Sequence, residues 1–371
     1  MDRRSFVTGS ALGLAGIAAS GAIAGVALAE EAAATEAPAP AATETPAVEA
    51  PAAPEAKEFD VIWVTCSTQS EFWQYQQIGM ENAAKDLEAE HGIKINFTVV
   101  GPATEAETEA YIRAFENAVA SEPDAIISAT QVPDSTWSVS KDATDRGIIV
   151  NFTNCGLEPL DSNQYADCYN QFYTTVSADV GDMAGKVCLE LMEAAGIEKS
   201  GVIAMEFSNV NPALQPRMDN FQAYVEANSE IDVLDCLFNN NDLSRAQADI
   251  ENQIAANGDK LVGIYGANNI SSDGIAIAVE NAGIKDKVIA IGVDSDPVAI
   301  KALEDGYLDC LIVQDAYGQG YASMVNAIET LLQGKNPEAE QKVAMPPVAV
   351  TTENMHEAEY AALLDPTLLK K

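Results

Sequence analysis

The alternation of short apolar runs with helical segments constrains the fold of this 371-residue chain most strongly. Three such runs each stop at one polar side chain: residues 261–267 precede Asn268, residues 288–293 precede Asp294 and residues 311–313 precede Gln314. Runs rich in Val and Ile, separated by helices, are typical of parallel strands buried on both faces. Ligands of open parallel sheets bind at the carboxyl ends of the strands. These three side chains are therefore candidate hydrogen-bonding groups for a small polar molecule.

The same alternation covers the chain from about residue 59 onward. The pattern predicts strands at 59–65, 93–100, 125–128, 147–150, 201–205 and 231–238 besides the three runs above, and helices at 72–90, 105–121, 179–195, 217–229, 243–257, 274–282, 297–305 and 318–333. Strands that alternate with helices of this length form right-handed βαβ units and doubly wound sheets. Roughly 310 residues exceed one ordinary core. We therefore predict two similar α/β lobes, with a weak internal repeat that breaks near residue 175.

The first 58 residues carry the features of export. A charged start with Arg3 and Arg4, an uncharged apolar run and a small-x-small ending at Ala29 predict a signal peptide over 1–29. The arginine pair is similar to a twin-arginine signal, and an ordinary secretory signal is the alternative. If it is not cleaved, the apolar run is long enough to anchor the protein in a membrane. Residues 30–58, rich in Ala, Glu, Pro and Thr, predict a disordered linker that serves either as a tether or as a passive tail.

Composition excludes several classes of partner and site. The net charge of −37 argues against nucleic acids and anionic membrane surfaces. The chain has two histidines and six cysteines, none in a Cys-x-x-Cys pair, so we predict no metal and no cofactor. Cys155 and Cys168 flank a loop-like segment, and the sequence leaves open whether they form a disulfide. The other cysteines, at 66, 188, 236 and 310, fall in predicted strands or a helix and are expected to be buried thiols.

Catalysis lacks its usual sequence signals. No glycine-rich phosphate-binding motif follows a strand, and no Gly-x-Ser-x-Gly nucleophile motif occurs. His91 lies at a predicted helix end and His356 in a polar tail, so neither is placed to activate a nucleophile. We therefore predict that the protein is not an enzyme.

Four motifs, in order, resemble those of periplasmic sugar-binding proteins of the ribose-binding type, type 1. They are residues 67–73 followed by Gly79, residues 267–269 followed by Gly274, residues 291–294, and residues 313–314 followed by 318–320. The resemblance covers residues 60 to 345. It implies two Rossmann-like lobes, joined by three crossovers, that close like a hinge on a ligand. It places the first lobe at 59–175 plus 315–343, and the second at 176–314 plus the tail 344–371.

The resemblance also implies a ligand-binding set. Its members are Ser67, Glu71, Phe72, Trp73, Asn154, Gln215, Asn241, Asn268, Asp294 and Gln314. Aromatic faces cover the C–H face of a sugar ring, and a carboxylate accepts hydrogen bonds from hydroxyls. Alternatives stay open: core packing for the two aromatic residues, helix capping for Asn268 and Asp294, and a crossover hydrogen bond for Gln314.

Four positions depart from the family pattern. Thr153–Asn154 replaces an Asp-Arg pair, Gln215 replaces an arginine although Arg217 is kept, and Asn241 replaces an aromatic residue. The expected cleft thus loses cationic charge and gains amides. This change favours a neutral ligand rich in hydroxyl or amide groups.

The leading hypothesis is a monomeric, extracytoplasmic solute-binding protein that delivers a sugar or sugar-like ligand to the permease of an ABC importer. One alternative is a receptor whose closed form docks on a membrane signalling or chemotaxis protein. The other is an exported enzyme of the same fold. The partner discriminates the first two, and ligand turnover would identify the third.

Overall fold

The computed structural model describes residues 56–211 and 214–371. The predicted signal peptide, 1–29, and the linker as far as residue 55 lie outside the described residues. The first strand begins at Glu58, inside the stretch predicted to be linker. Within the described ranges, no helix is long and apolar enough to cross a membrane.

The chain runs through alternating strands and helices, as predicted. The first half contains β1 (Glu58–Val64), α1 (Glu71–His91), β2 (Lys94–Val100), α2 (Thr108–Ala120), β3 (Ala125–Ser128), α3 (Pro133–Asp145), β4 (Ile149–Thr153), β5 (Gln171–Thr174), α4 (Ser177–Ala195) and β6 (Ser200–Phe207). The second half contains α5 (Gln215–Asn228), β7 (Glu230–Val233), β8 (Leu237–Phe238), α6 (Leu243–Asn257), β9 (Leu261–Gly266), α7 (Asn269–Ala282), β10 (Ile289–Val293), α8 (Pro297–Asp305), β11 (Cys310–Val313), α9 (Ala316–Gln333), β12 (Lys342–Ala344), β13 (Val348–Val350) and α10 (Ala358–Leu364).

The strands form two sheets, one in each lobe. The first sheet has the order β12-β5-β4-β3-β1-β2 and is parallel throughout. The second has the order β13-β11-β10-β9-β6-β7, with β8 beside β6, and only β13 is antiparallel to its neighbour. The central strands are buried on both faces, so their uniform apolar character follows from helices that cover both sides.

The chain passes between the two sheets three times. It leaves the first sheet after β5, returns after β11 through α9, which packs against α1, and leaves again after β12 to form β13. These passages make the two-lobed, doubly wound architecture with three crossovers that the sequence predicts. Because both sheets are parallel near their centres, the carboxyl ends of β1, β3 and β4 and those of β6, β9, β10 and β11 each gather at one sheet edge.

Some elements differ from the sequence prediction. The predicted strand at 231–238 is split into β7 and β8, and β5, β12, β13 and α10 were not predicted. Strands of two to four residues, mostly at the sheet edges, carry too few apolar residues to show a period.

The disulfide that the sequence left open is absent, since all six cysteines are free. The Cys155 thiol donates to Asn154 and accepts from Asn211, whereas the Cys168 thiol contacts Asp167. Both thiols are buried, and burial raises the pKa of each to about 11. Each is therefore a protonated thiol near neutral pH.

Candidate functional site

A cavity of about 360 Å³ lies between the carboxyl ends of the two sets of strands. Nine of the ten predicted ligand-binding residues line it: Ser67, Glu71, Phe72, Trp73, Asn154, Asn241, Asn268, Asp294 and Gln314. They come from both lobes, so a molecule in this cavity touches both. Convergent polar groups in a concave site between two lobes are typical of a small-molecule site.

Gln215 is not part of this cavity. It is the first residue of α5, its side chain is exposed, and its amide donates to Asp219 at 2.8 Å. Arg217, two residues later, points into the protein and lines the cavity instead. The structure thus places Gln215 outside the cavity, unlike the other nine predicted residues, because residues two apart on a helix point in different directions.

Asp294, Gln314 and Asn154 form a chain of hydrogen bonds across the crossover. Gln314 Nε2 donates to Asp294 Oδ1 at 2.9 Å, and Asn154 Nδ2 donates to Gln314 Oε1 at 2.9 Å. Asp294 follows β10 of the second lobe and Asn154 follows β4 of the first, so Gln314 connects the two lobes. The predicted crossover hydrogen bond of Gln314 is present, and the same side chain also lines the cavity.

A buried ion pair adds to this network. Arg217 Nη1 lies 3.9 Å from Asp294 Oδ2 and donates to the carbonyl of Ala267 at 2.9 Å. Burial raises the pKa of Asp294, while Arg217 and the hydrogen bond from Gln314 oppose that rise. Asp294 is 6% exposed and Arg217 2%. The pair supplies a fixed charged acceptor and donor to whatever occupies the cavity.

The backbone of three cavity residues is in the left-handed region. Asn154, Asn241 and Asp294 have φ angles of 62°, 60° and 67°. Only five non-glycine residues of the described chain have positive φ, and three of them line this cavity. Such conformations cost free energy and concentrate at functional sites.

Asn268 and Asp294 do not cap helices with their side chains. Asn268 occupies the cap position of α7 but makes no capping hydrogen bond; its Oδ1 accepts from Ser208 N and Ser271 Oγ, and its Nδ2 donates to Asn241 Oδ1 at 3.2 Å. Asp296, not Asp294, caps α8 by accepting from Ala299 N at 2.7 Å. Both predicted side chains line the cavity instead.

Phe72 and Trp73 both pack in the core and line the cavity. Their rings meet edge to face, with centroids 5.0 Å apart, and Trp73 packs against Trp63 at 6.3 Å. They are 8% and 3% exposed. Each ring thus has core contacts and a cavity-lining surface, so core packing is present and stacking on a ligand stays a prediction.

Ser67 and Glu71 lie on the loop and first turn that follow β1. Ser67 Oγ donates to Ala103 O at 2.7 Å and accepts from the backbone of Gln69 and Ser70, so the hydroxyl fixes the loop that leads into α1. Glu71 is half-buried at the start of α1. Both line the cavity.

Sequence reasoning missed a carboxyl group of the first lobe. Glu105 lines the cavity and accepts from Trp73 Nε1 at 2.8 Å and from Gln131 Nε2 at 2.6 Å. Burial raises its pKa, and these two hydrogen bonds oppose the rise. The predicted helix began at Glu105, whereas α2 begins at Thr108. A loop carboxylate was therefore mistaken for a helix-start residue.

Further cavity residues of the second lobe carried little sequence signal. Asn211, Asn269, Asp273 and Asp296 line the cavity together with Arg217. Acidic and amide residues next to a helix start are common for capping alone, so their position gave no reason to assign them to a ligand. In the described residues no group of three or more His, Cys, Asp or Glu side chains is arranged to hold a metal ion.

Comparison with known proteins gives one family. The sequence pattern of the periplasmic binding protein domain family matches residues 61–336. The xylose/arabinose-binding protein of Sulfolobus acidocaldarius is 24% identical over 277 residues, which are 72% of this chain and 65% of that protein. The chain thus spans slightly less than two thirds of that relative's length.

Two solved structures share the architecture. A carbohydrate transporter solute-binding protein from Agrobacterium radiobacter, in complex with D-arabinose, has a TM-score of 0.72 and 23% identity over 83% of this chain and 99% of its own. An ABC transporter solute-binding protein from Agrobacterium vitis, with bound D-fucose, has a TM-score of 0.71 and 26% identity over the same shares. The fold of both is that of this chain.

Proposed function

Because the chain belongs to the family of periplasmic binding protein domains, we propose that it is an extracytoplasmic solute-binding protein for a sugar or sugar-like molecule. The observation that carries the proposal is the cavity between the lobes, in which Gln314 joins Asp294 of the second lobe to Asn154 of the first, and which Asn268 of the second lobe also lines. Carboxylate and amide groups beside aromatic rings match the alternating hydroxyls and C–H faces of a sugar.

Ligand binding closes the lobes in this account. A ligand that contacts side chains of both lobes binds the closed arrangement better than the open one, so it shifts the population toward closed. The three passages between the lobes are the segments about which such a hinge turns. Gln314 lies on one of them, and its hydrogen bonds with Asn154 and Asp294 connect the cavity wall to that crossover.

We propose that the closed form delivers the ligand to a partner and does not catalyse a reaction. The proposed partner is the permease of an ABC importer, which recognises the closed lobes of a monomeric binding protein. Export through the predicted signal at 1–29 would place the protein outside the cytoplasm. Glu105 accepts from Trp73 and Gln131, and Asp294 accepts from Gln314 and pairs with Arg217. Within the described residues, these two carboxyls are thus hydrogen-bonded to groups other than a nucleophile that they would activate.

Titration calorimetry tests the proposal. The panel contains D-arabinose, D-xylose, D-fucose, D-ribose, D-galactose, myo-inositol, adenosine and D-galactosamine. We expect at least one neutral sugar or cyclitol to bind with a Kd far below 1 mM and without turnover, checked by chromatography of the recovered ligand. No binding by any member at millimolar concentration would reject the sugar assignment, and conversion of the ligand would favour an enzyme.

A further inference from the structure

Two carboxyl groups of the second lobe lie side by side in the cavity wall, apart from the chain formed by Asp294, Gln314 and Asn154. Asp273 belongs to α7, and Asp296 precedes α8. Both line the cavity, both are 4% exposed, and their carboxyl groups are within hydrogen-bonding reach of each other. Two carboxyls this close share a proton, because two negative charges at that separation repel strongly.

The hydrogen bonds of Asp296 show which member of the pair supplies the proton. Asp296 Oδ1 accepts from Ala299 N at 2.7 Å, and its Oδ2 accepts from Asn269 Nδ2 at 2.9 Å. Both oxygens of Asp296 are therefore acceptors, and it lies at the amino end of a helix, where negative charge is favourable. The proton shared by the pair then belongs to Asp273.

The surroundings of Asp273 agree with that assignment. Burial is the main cause that raises its pKa, to about 9, and the Asp296 carboxylate and Glu71 across the cleft add to the rise. Asp273 is a neutral carboxylic acid at pH 7. Its hydroxyl is used by Asp296, so its other oxygen is left as an acceptor without a donor among the described residues, in a side chain that lines the cavity.

We propose that Asp273 is a further ligand-binding residue, whose carboxyl oxygen not engaged with Asp296 accepts a hydrogen bond from a hydroxyl group of the ligand. The proposal rests on the proposed function, because it takes the ligand to be polyhydroxylated and bound in the same cavity. Glu71 of the first lobe lines the cavity near this pair, so a hydroxyl held here lies between the two lobes.

A ligand with an ammonium group is the alternative occupant, and it requires the opposite protonation state of Asp273. A cation is held by the ionised carboxylate, whereas a hydroxyl is held by the neutral acid through its carbonyl oxygen. Asparagine at this position imitates the neutral acid, since its Nδ2 donates to Asp296 and its Oδ1 accepts. It cannot imitate the carboxylate. The two occupants therefore predict opposite results for Asp273→Asn.

The test measures binding of the tightest panel member by calorimetry to the wild-type protein, Asp273→Asn and Asp273→Ala. At pH 7 we expect Asp273→Asn to keep the wild-type Kd within about threefold, and Asp273→Ala to weaken binding about 5- to 10-fold, as for one lost hydrogen bond. From pH 7 to pH 10 the wild-type Kd should rise as Asp273 ionises, while that of Asp273→Asn stays nearly constant.

Each contrary outcome contradicts a different part of the proposal. Wild-type affinity in Asp273→Ala overturns this proposal alone, as does a parallel pH dependence of the wild-type protein and Asp273→Asn. Loss of binding by more than tenfold in Asp273→Asn, with its melting temperature unchanged, assigns the pair to an ammonium instead. If no panel member binds the wild-type protein, the proposed function fails and this proposal fails with it.

Discussion

At the scale of single residues, the cavity combines one carboxylate that is paired with a cation, Asp294, with other carboxyl groups that have no cationic partner among the described residues. Asp294 has Arg217 and Gln314 as partners, so its carboxylate is fixed in place before a ligand arrives. Burial raises the pKa of Glu105 and of Asp273, and no cationic side chain of the described residues opposes either rise. A preorganised carboxylate binds hydroxyls without a further cost of ordering its side chain.

Replacing Asp294 with asparagine should weaken sugar binding at least tenfold. The variant loses a charged acceptor, worth about 1.5–3 kcal/mol, and leaves Arg217 buried without its partner. Calorimetry measures the Kd, and Asp286→Asn, at an exposed position of the same lobe, is the control with wild-type affinity. Binding by Asp294→Asn as tight as by the control would remove Asp294 from the ligand contacts.

Replacing Glu206 with glutamine should stabilise the protein increasingly as the pH rises. Glu206 is fully buried, and burial raises its pKa from 4.5 to about 9. The folded state holds the proton more tightly than the unfolded state, so Glu206 contributes most below pH 4.5. That contribution falls by at most about 1.4 kcal/mol per pH unit as the pH rises toward 9.

Urea unfolding at pH 5, 7 and 9 checks this sign. The free energy of unfolding of Glu206→Gln minus that of the wild-type protein should increase from pH 5 to pH 9. Glu116→Gln, at an exposed position on α2, is the control variant. A difference that is constant with pH would mean that Glu206 titrates normally in the folded protein.

At the scale of elements, close helix contacts depend on glycine. A Cβ at Gly320 of α9 would lie 2.1 Å from the carbonyl oxygen of Gln76, and one at Gly79 of α1 would lie 2.1 Å from that of Tyr317. Both contacts are with backbone atoms, which cannot move aside without a shift of the helix. The α1–α9 pair, which carries the second passage between the lobes, therefore packs backbone against backbone.

Gly320→Ala should destabilise the protein by about 1–3 kcal/mol, the range for overpacked cores. In an open helical position the same change would stabilise it by roughly 0.5–1 kcal/mol. Thermal unfolding separates these two signs, and Glu116→Ala on the exposed face of α2 serves as the neutral control. An increase in melting temperature for Gly320→Ala would show that the two helices are not in close contact.

The central elements were predictable from sequence, and the edges were not. β9, β10 and β11 are uniformly apolar because helices cover both faces, and this composition is visible in the chain itself. β12 and β13 are three-residue strands whose pairing depends on distant segments, and no local pattern encodes it. The strand-end residues Asn268 and Asp294 were found because strand direction determines where they lie.

The rest of the site depends on three-dimensional packing. Glu105 and Asp273 line the cavity only because a loop and a helix start from opposite lobes meet there. Gln215 lies outside the cavity because the family position does not specify which face of α5 points inward in this chain. Which partner a carboxyl meets across a cleft is not a local property of sequence.

At the scale of the whole molecule, residues 358–371 connect the two lobes a fourth time. Leu364 packs in the core of the second lobe, and its carbonyl accepts from Ser295 Oγ. The turn at 366–369 then lies on α1 of the first lobe, where Asn82 donates to the carbonyl of Leu369 and Lys371 pairs with Asp86. This segment therefore contacts both lobes in the arrangement that encloses the cavity.

Removal of residues 366–371 should shift the unliganded protein toward the open arrangement of the two lobes. Without the contacts to Asn82 and Asp86, a larger fraction of the unliganded protein adopts the open arrangement. The apparent affinity for the ligand then falls in proportion to the decrease in the closed fraction. Small-angle scattering should show a larger radius of gyration for the truncated protein without ligand. Saturating ligand should restore the same radius in both proteins, and equal radii without ligand would contradict a role for the segment in closure.

A crystal structure with the sugar that binds most tightly tests the central claim most directly. We expect the sugar between the lobes, with hydroxyl groups within hydrogen-bonding distance of Asp294 and Asn268 and a ring face on Phe72 or Trp73. A sugar bound outside this cavity, or inside it without contact to Asp294, would contradict the account.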